Sequence, residues 1–159
     1  MYGAGDVRVE DAPEPTLQLA TDAIVRVVRS CICGSDLHPY HLMPAAETGN
    51  PMGHEMIAVV EETGGDVTGV RKGDFVVVPF AYSDNTCPVC RDGFHTACPN
   101  GGFYGRPQTG GLQAEYARIP QADGSLVAVP DVDPGTADES LLASLLALSY
   151  LGAERTMPN

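Results

Sequence analysis

Three cysteines crowd one turn-rich stretch, "SDNTCPVCRDGFHTACPN" (83–100): Cys87, Cys90 and Cys98. A Cys-x-x-Cys pair with a third thiol further on supplies three of the four donors a tetrahedral zinc takes. Asp84 lies just ahead of Cys87. A carboxylate oxygen is an accepted zinc donor, so Asp84, Cys87, Cys90 and Cys98 can close the tetrahedron. His95 competes for the fourth place on chemistry alone; it crowds Cys98, whereas Asp84 continues the two-residue spacing that curls successive donors around one ion. Free thiols this close would oxidise without gain. A redox Cys-x-x-Cys is weakened by the third cysteine and by the lack of a following amphipathic helix to lower a thiol pKa. A second set of reactive side chains lies upstream in "CGSDLH" (33–38) and "GHE" (53–55): Cys33, Ser35, Asp36, His38, His54 and Glu55. Each of these short motifs is weak alone. His54 and Glu55 are consecutive, and on a regular strand they would face opposite sides, so both reach one ion only where the strand begins irregularly.

The elements that must position these groups read as mainly β. Thirteen prolines and eighteen glycines punctuate the chain, and short segments rich in Val, Ile and aromatics lie between them. Strands are predicted at "VRVE" (7–10), "AIVRVVRSC" (23–31), "EMIAVVEET" (55–63), "DFVVVPF" (74–80), "AEYARIP" (114–120) and "LVAVP" (126–130). "SDLHPYH" (35–41) suits a single helical turn. The one strong helix is "TADESLLASLLALSYLGAERT", with Thr136 or Asp138 as N-cap and a Leu-rich period behind it. The loop 82–112 carries neither strand nor helix signal, and a metal is the device that would hold it.

Length and charge exclude several function classes. A chain of 159 residues suits one compact domain with a real core. A formal charge of −12, with Lys72 the one lysine, repels phosphate backbones and anionic lipid, so neither a nucleic-acid nor a membrane partner is expected. No apolar run approaches the ~18 residues of a spanning helix, and the N-terminus has no export signal. Five cysteines without such a signal read as reduced thiols and metal ligands, which implies a cytoplasmic protein.

Taken together, "CGSDLH", "GHEMIAVVEETGGDV" and "GVRKGDFVVV" (69–78), with the cysteine loop, resemble the motifs of the zinc-dependent medium-chain alcohol dehydrogenase family. Ala58 stands where glycine is usual. The likeness runs from about Gly5 to Ser149 and implies a GroES-like barrel with a zinc-binding loop lobe and a C-terminal helix. By that resemblance the family's four structural cysteines map onto Asp84, Cys87, Cys90 and Cys98, with a departure at the first. Cys33 and His54 would hold a catalytic zinc, Asp36 would fix the ligand histidine, and Ser35 and His38 would lead the substrate proton away. Glu55 is read as near that metal and an occasional ligand. The implied substrate is a small-molecule alcohol or aldehyde, with NAD or NADP accepting the hydride. Cys31 is read as a buried thiol at a strand end and His41 and His95 as solvated loop residues. Gly102, Gly105, Gly110 and Gly111 read as turn glycines, since no GxGxxG follows a strand.

The resemblance also implies parts outside the match. Relatives begin with an extra strand before "YGAGDVRVE", and their third catalytic ligand lies in a segment resembling "LSDVLPTG". Here that stretch is "LSYLGAERTMPN", with Tyr150 at the ligand position. The expectation is a GroES-like domain over 1–135 and a helix over 136–159 leading toward an absent cofactor domain. The catalytic zinc would be incomplete and no cofactor-binding residue would lie in this chain. The isolated chain would hold about one zinc firmly, turn over no alcohol, and self-associate through the helix. The alternative is a zinc-stabilised barrel without turnover, a relic or a partner-binding subunit. The negative charge disfavours a zinc-ribbon nucleic-acid module.

Overall fold

The computed structural model describes residues 1–151. Its centre is a five-stranded antiparallel sheet of order β6-β1-β2-β3-β7. The strands are β1 (Ala23–Ser30), β2 (Met56–Thr63), β3 (Phe75–Val78), β6 (Tyr116–Ile119) and β7 (Val127–Ala128). A two-residue pair, β4 (Ala81–Tyr82) and β5 (Gly102–Phe103), closes the neck of the cysteine loop. Four helices punctuate the strands: α1 (Leu37–Leu42), α2 (Pro88–Arg91), α3 (Ala122–Ser125) and α4 (Glu139–Leu151).

Strand periodicity sends successive side chains to opposite faces, and both faces of this sheet are covered. Met56, Ala58 and Val60 of β2, with Val76 and Val78 of β3, join Tyr104 and Leu112 in one apolar cluster. Ile57 and Val59, with Phe75 and Val77, meet Leu142 and Leu145 of α4 in the other. Double burial explains why these strands read as near-continuous apolar runs. Register shifts in β1 against β2, between Ile24 and Val25 and between Val27 and Arg29, bend the sheet around the first cluster.

Asp138 caps α4, its Oδ1 accepting from the Leu141 amide at 2.8 Å, and Arg29 of β1 pairs with Glu139. Leu142 and Leu145 are buried and Leu146 packs partly, whereas Leu141 and Leu148 stay exposed. The expected sticky surface is therefore reduced to part of the helix. The helix begins at Glu139, three residues later than expected at 136. Residues 152–159 lie outside the described residues, as does the side chain of Tyr150. Among the described residues no helix is long and apolar enough to cross a membrane.

Two expectations are corrected. Residues 7–10 form no strand, and Val7 and Val9 are exposed. Side chains hold this segment instead: the Arg8 guanidinium lies 4.1 Å over the Tyr2 ring, and Tyr2 donates to Glu10 Oε2 at 2.6 Å. Period-2 alternation needs a neighbouring strand to become a ladder, and none lies beside it among the described residues. The loop 82–112 is also less bare than expected, containing α2, a 3-10 turn at His95–Ala97 and β5.

Candidate metal centres

In the cysteine lobe, one donor atom from each of Asp84, Cys87, Cys90 and Cys98 lies within 4.8 Å of the others. Local turns build this cluster. Asp84 Oδ1 accepts from the amides of Thr86 at 2.9 Å and Cys87 at 3.0 Å, and Asn85 takes the left-handed conformation at φ 56° between them. Cys87 then caps α2, its Sγ accepting from the Cys90 amide at 3.4 Å, with Pro88 at the first helical position. Asp84 N–H donates to Cys98 Sγ at 3.5 Å.

Burial alone would raise the Asp84 pKa. Hydrogen bonds from Asn100, from the Cys87 and Thr86 amides and from Cys90 outweigh it, holding the carboxyl well below the usual range. Burial first, and then the neighbouring thiols and Asp84, push Cys90 up to about 12. An anionic oxygen beside three thiols is a donor set suited to a divalent cation, which stabilises every thiolate it binds. His95 is not one of the four, and its Nδ1 lies 3.1 Å from Ser83 Oγ. It is half-buried and hydrogen-bonded, unlike the solvated loop residue expected.

The second cluster forms where β1 ends and β2 begins. Donor atoms of Cys33, His54 and Glu55 lie within 4.8 Å of one another. His54 and Glu55 precede the regular strand, which starts at Met56, so both side chains can turn to one point. Gly53 permits the irregular entry with φ +88°. Asp36 fastens two of the groups: its Oδ2 accepts from the Cys33 amide at 2.9 Å, and its Oδ1 lies 3.4 Å from His54 Nδ1. A carboxylate there favours the tautomer protonated at Nδ1 and leaves the Nε2 lone pair free. Nε2 lies 3.1 Å from Ser35 Oγ and 3.5 Å from Glu55 Oε1.

Glu55 is buried, and its Oε1 has no hydrogen-bond partner, while Oε2 accepts from Ser149 Oγ at 3.1 Å and Cys31 Sγ at 3.7 Å. A buried carboxylate with an unsatisfied oxygen facing an imidazole and a thiol fits a cation. Burial, then the charge of Glu55, raises the half-buried Cys31 thiol to about 11. His38 is exposed on α1, and so is His41, whose Nδ1 lies 2.8 Å from the Leu37 carbonyl.

The donors open on a pocket of about 610 Å³ lined by Cys33, Gly34, Ser35, His54, Glu55, Phe80, Phe103 and Tyr104. Phe80 and Phe103 stack with centroids 5.9 Å apart, giving the polar end an apolar wall. Sequence reasoning missed these three aromatics and Ser149. A signal for Ser149 was present, because it continues the i, i+3, i+7 stripe of Leu142 and Leu145, where a leucine would be expected.

A family model described as "Alcohol dehydrogenase GroES-like domain" matches residues 20–131. The chain is 41% identical over 125 residues to Zinc-type alcohol dehydrogenase B of Aspergillus flavus, covering 79% of this chain and 29% of that protein. It is 36% identical over 159 residues to Medium chain reductase/dehydrogenase ucsI of an Acremonium species, covering 98% and 53%. Alcohol dehydrogenase TADH from Thermus sp. ATN1 superposes with a TM-score of 0.75 at 38% identity, over 84% of this chain and 40% of that one. The chain thus spans between 29% and 53% of the length of these curated relatives.

Proposed function

Because this chain belongs to the zinc-dependent medium-chain alcohol dehydrogenases, as their GroES-like N-terminal domain, we propose that it is the metal-carrying part of an NAD- or NADP-linked alcohol–aldehyde oxidoreductase. The observation that carries this reading is the convergence of Cys33, His54 and Glu55 on the wall of a pocket that Ser35 also lines. Zinc held there by Cys33, His54 and Glu55 would supply a Lewis acid that makes an alcohol hydroxyl easier to deprotonate. Ser35 then offers a hydroxyl on the pocket wall that would relay that proton, accepting it while passing its own proton on. His38, exposed on α1, is the group through which the proton would reach solvent. Asp36 keeps His54 in the tautomer whose Nε2 faces the donors. Phe80, Phe103 and Tyr104 exclude water from the carbon end of the substrate.

Asp84, Cys87, Cys90 and Cys98 would hold a second zinc that orders the lobe and touches no substrate. Four of the seven proposed donors are thiols that must stay reduced, which suits a cytoplasmic setting. The nicotinamide cofactor would bind the part of the relatives that this chain does not span. Exposed Leu141 and Leu148 on α4 support self-association, which sedimentation of Leu141→Glu/Leu148→Glu beside the parent would detect as lost dimer.

Zinc titration against a chromophoric chelator tests the metal reading. The parent chain should take two zinc ions, one firmly in the lobe and one more weakly, and Cys33→Ser should take one. A single zinc in both, retained by Cys33→Ser, would overturn the pocket site and leave the alternative of a zinc-stabilised scaffold without turnover.

A further inference from the structure

The Ser149 hydroxyl, fully buried on α4, donates to Glu55 Oε2 across a sequence separation of 94 residues. Three observations make this more than a packing contact. Glu55 is buried, and among the described residues no lysine or arginine pairs with it. Its two oxygens have opposite situations: Oε2 faces the Ser149 hydroxyl and the Cys31 thiol, whereas Oε1 has no hydrogen-bond partner and lies 3.5 Å from His54 Nε2. Finally, the Ser149 Oγ lies 2.6 Å from the Leu146 carbonyl as well as 3.1 Å from Oε2, so its single proton is shared between a carbonyl of its own helix and the Glu55 side chain.

We infer that Ser149 is a positioning residue for the pocket metal: it tethers Oε2 of Glu55 and so presents Oε1, on a fixed carboxylate, to the point where Cys33 and His54 converge. This rests on the metal reading of the pocket and deepens it. A glutamate side chain has three rotatable bonds, and an untethered one loses that freedom when it binds a cation. Fixing one oxygen beforehand removes part of this cost and orients the lone pairs of the other. Cys31 is the weaker of the two tethers, since a thiol is a poor donor and lies at 3.7 Å.

A purely structural role makes a different prediction. Losing the hydroxyl leaves the buried Glu55 Oε2 with only the weak Cys31 donor, so a purely structural Ser149 predicts that Ser149→Ala lowers stability without a loss confined to one metal site. The positioning role predicts a specific loss at one metal site. Zinc competition against a chromophoric chelator, with cobalt absorption spectra as an independent report on ligand geometry, would be measured for the parent chain, Ser149→Ala, Glu55→Gln and the double variant.

The expected result is that Ser149→Ala weakens zinc at the pocket site by about 10- to 100-fold, the range for a group that orients a metal ligand. The cobalt spectrum of that site should shift, while zinc affinity at the lobe site stays unchanged. In the Glu55→Gln background the same substitution should add almost nothing, because the group it acts through is gone. Equal zinc affinity in Ser149→Ala and parent would overturn the inference and leave the metal reading standing. Weakening of both sites together, or an undiminished loss in the Glu55→Gln background, would overturn it in favour of a general effect on the fold. A parent chain that binds zinc only in the lobe would remove the metal reading itself, and the inference with it.

Discussion

Gly53 enters β2 at φ +88°, and a Cβ placed on it would fall 2.6 Å from the backbone nitrogen of Gln113. That nitrogen donates to the Met52 carbonyl at 3.1 Å, and the amide of Leu112 donates to the Gly53 carbonyl at 3.0 Å. The colliding atom is therefore pinned, and a side chain meets both a strained dihedral and an immovable neighbour. Gly53→Ala should cost roughly 2 to 4 kcal/mol, combining the strain and the overpacking, read as a lowered denaturant midpoint. It should also displace His54 and weaken pocket zinc. An unchanged midpoint would mean that Gln113 yields. Residues also differ in how readily a sequence discloses them. The lobe donors are close in the chain, so their spacing could be read directly. Ser149 is 94 residues from Glu55 and chemically bland, so its partner becomes visible only when α4 is laid on the sheet.

At the scale of elements the lobe divides in two. Its early part, with Asp84, Cys87, Cys90 and Cys98, has Cys90 as its one buried apolar side chain, whereas Tyr104 and Leu112 are embedded in the first apolar cluster. Chelation should therefore raise amide exchange most between residues 83 and 101, little around 104–112, and least in β3. Equal loss of protection in β3 would mean that the metal supports the entire sheet. Another tie joins α3 to the turn before β3. Asp123 accepts from the amides of Thr68 and Gly69 and from the Thr68 hydroxyl. Burial opposes ionisation there, but these hydrogen bonds prevail and lower its pKa from 3.8. Its contribution is complete above that ordinary value and disappears as pH falls through the lowered one. Asp123→Ala should cost about 1 to 2 kcal/mol at neutral pH, discounted for partial exposure, and the difference should close in strong acid. A gap that persists unchanged in acid would assign the loss to packing. Strands β1, β2, β3 and β6 were legible because apolar runs between turn residues survive as ladders. β4 and β5 were not, since neither stands out as an apolar run of its own between turn residues as the "LVAVP" stretch of β7 does, and residues 7–10 carried a period without a partner.

For the whole molecule, the proposed chemistry is divided between this chain and a nicotinamide-binding part. Holding cofactor and substrate in register is worth on the order of 7 to 11 kcal/mol of barrier in favourable cases. The zinc-loaded chain alone should therefore give no alcohol-dependent rise in NADH or NADPH absorbance with primary alcohols. Turnover that Cys33→Ser abolishes would require a cofactor site within this chain or a second copy of it. The doubly covered sheet has a further consequence. A sheet wetted on one side leaves every other position of each strand free to drift, as β6 does at exposed Tyr116. From Met56 to Val60, β2 has no such free alternation, because one set of side chains meets the lobe's anchors and the other meets α4. Its history of accepted substitutions should be confined to exchanges among apolar residues of similar volume, and a change there must be matched on the face that the altered side chain meets, by the lobe's anchors at one position and by α4 at the next.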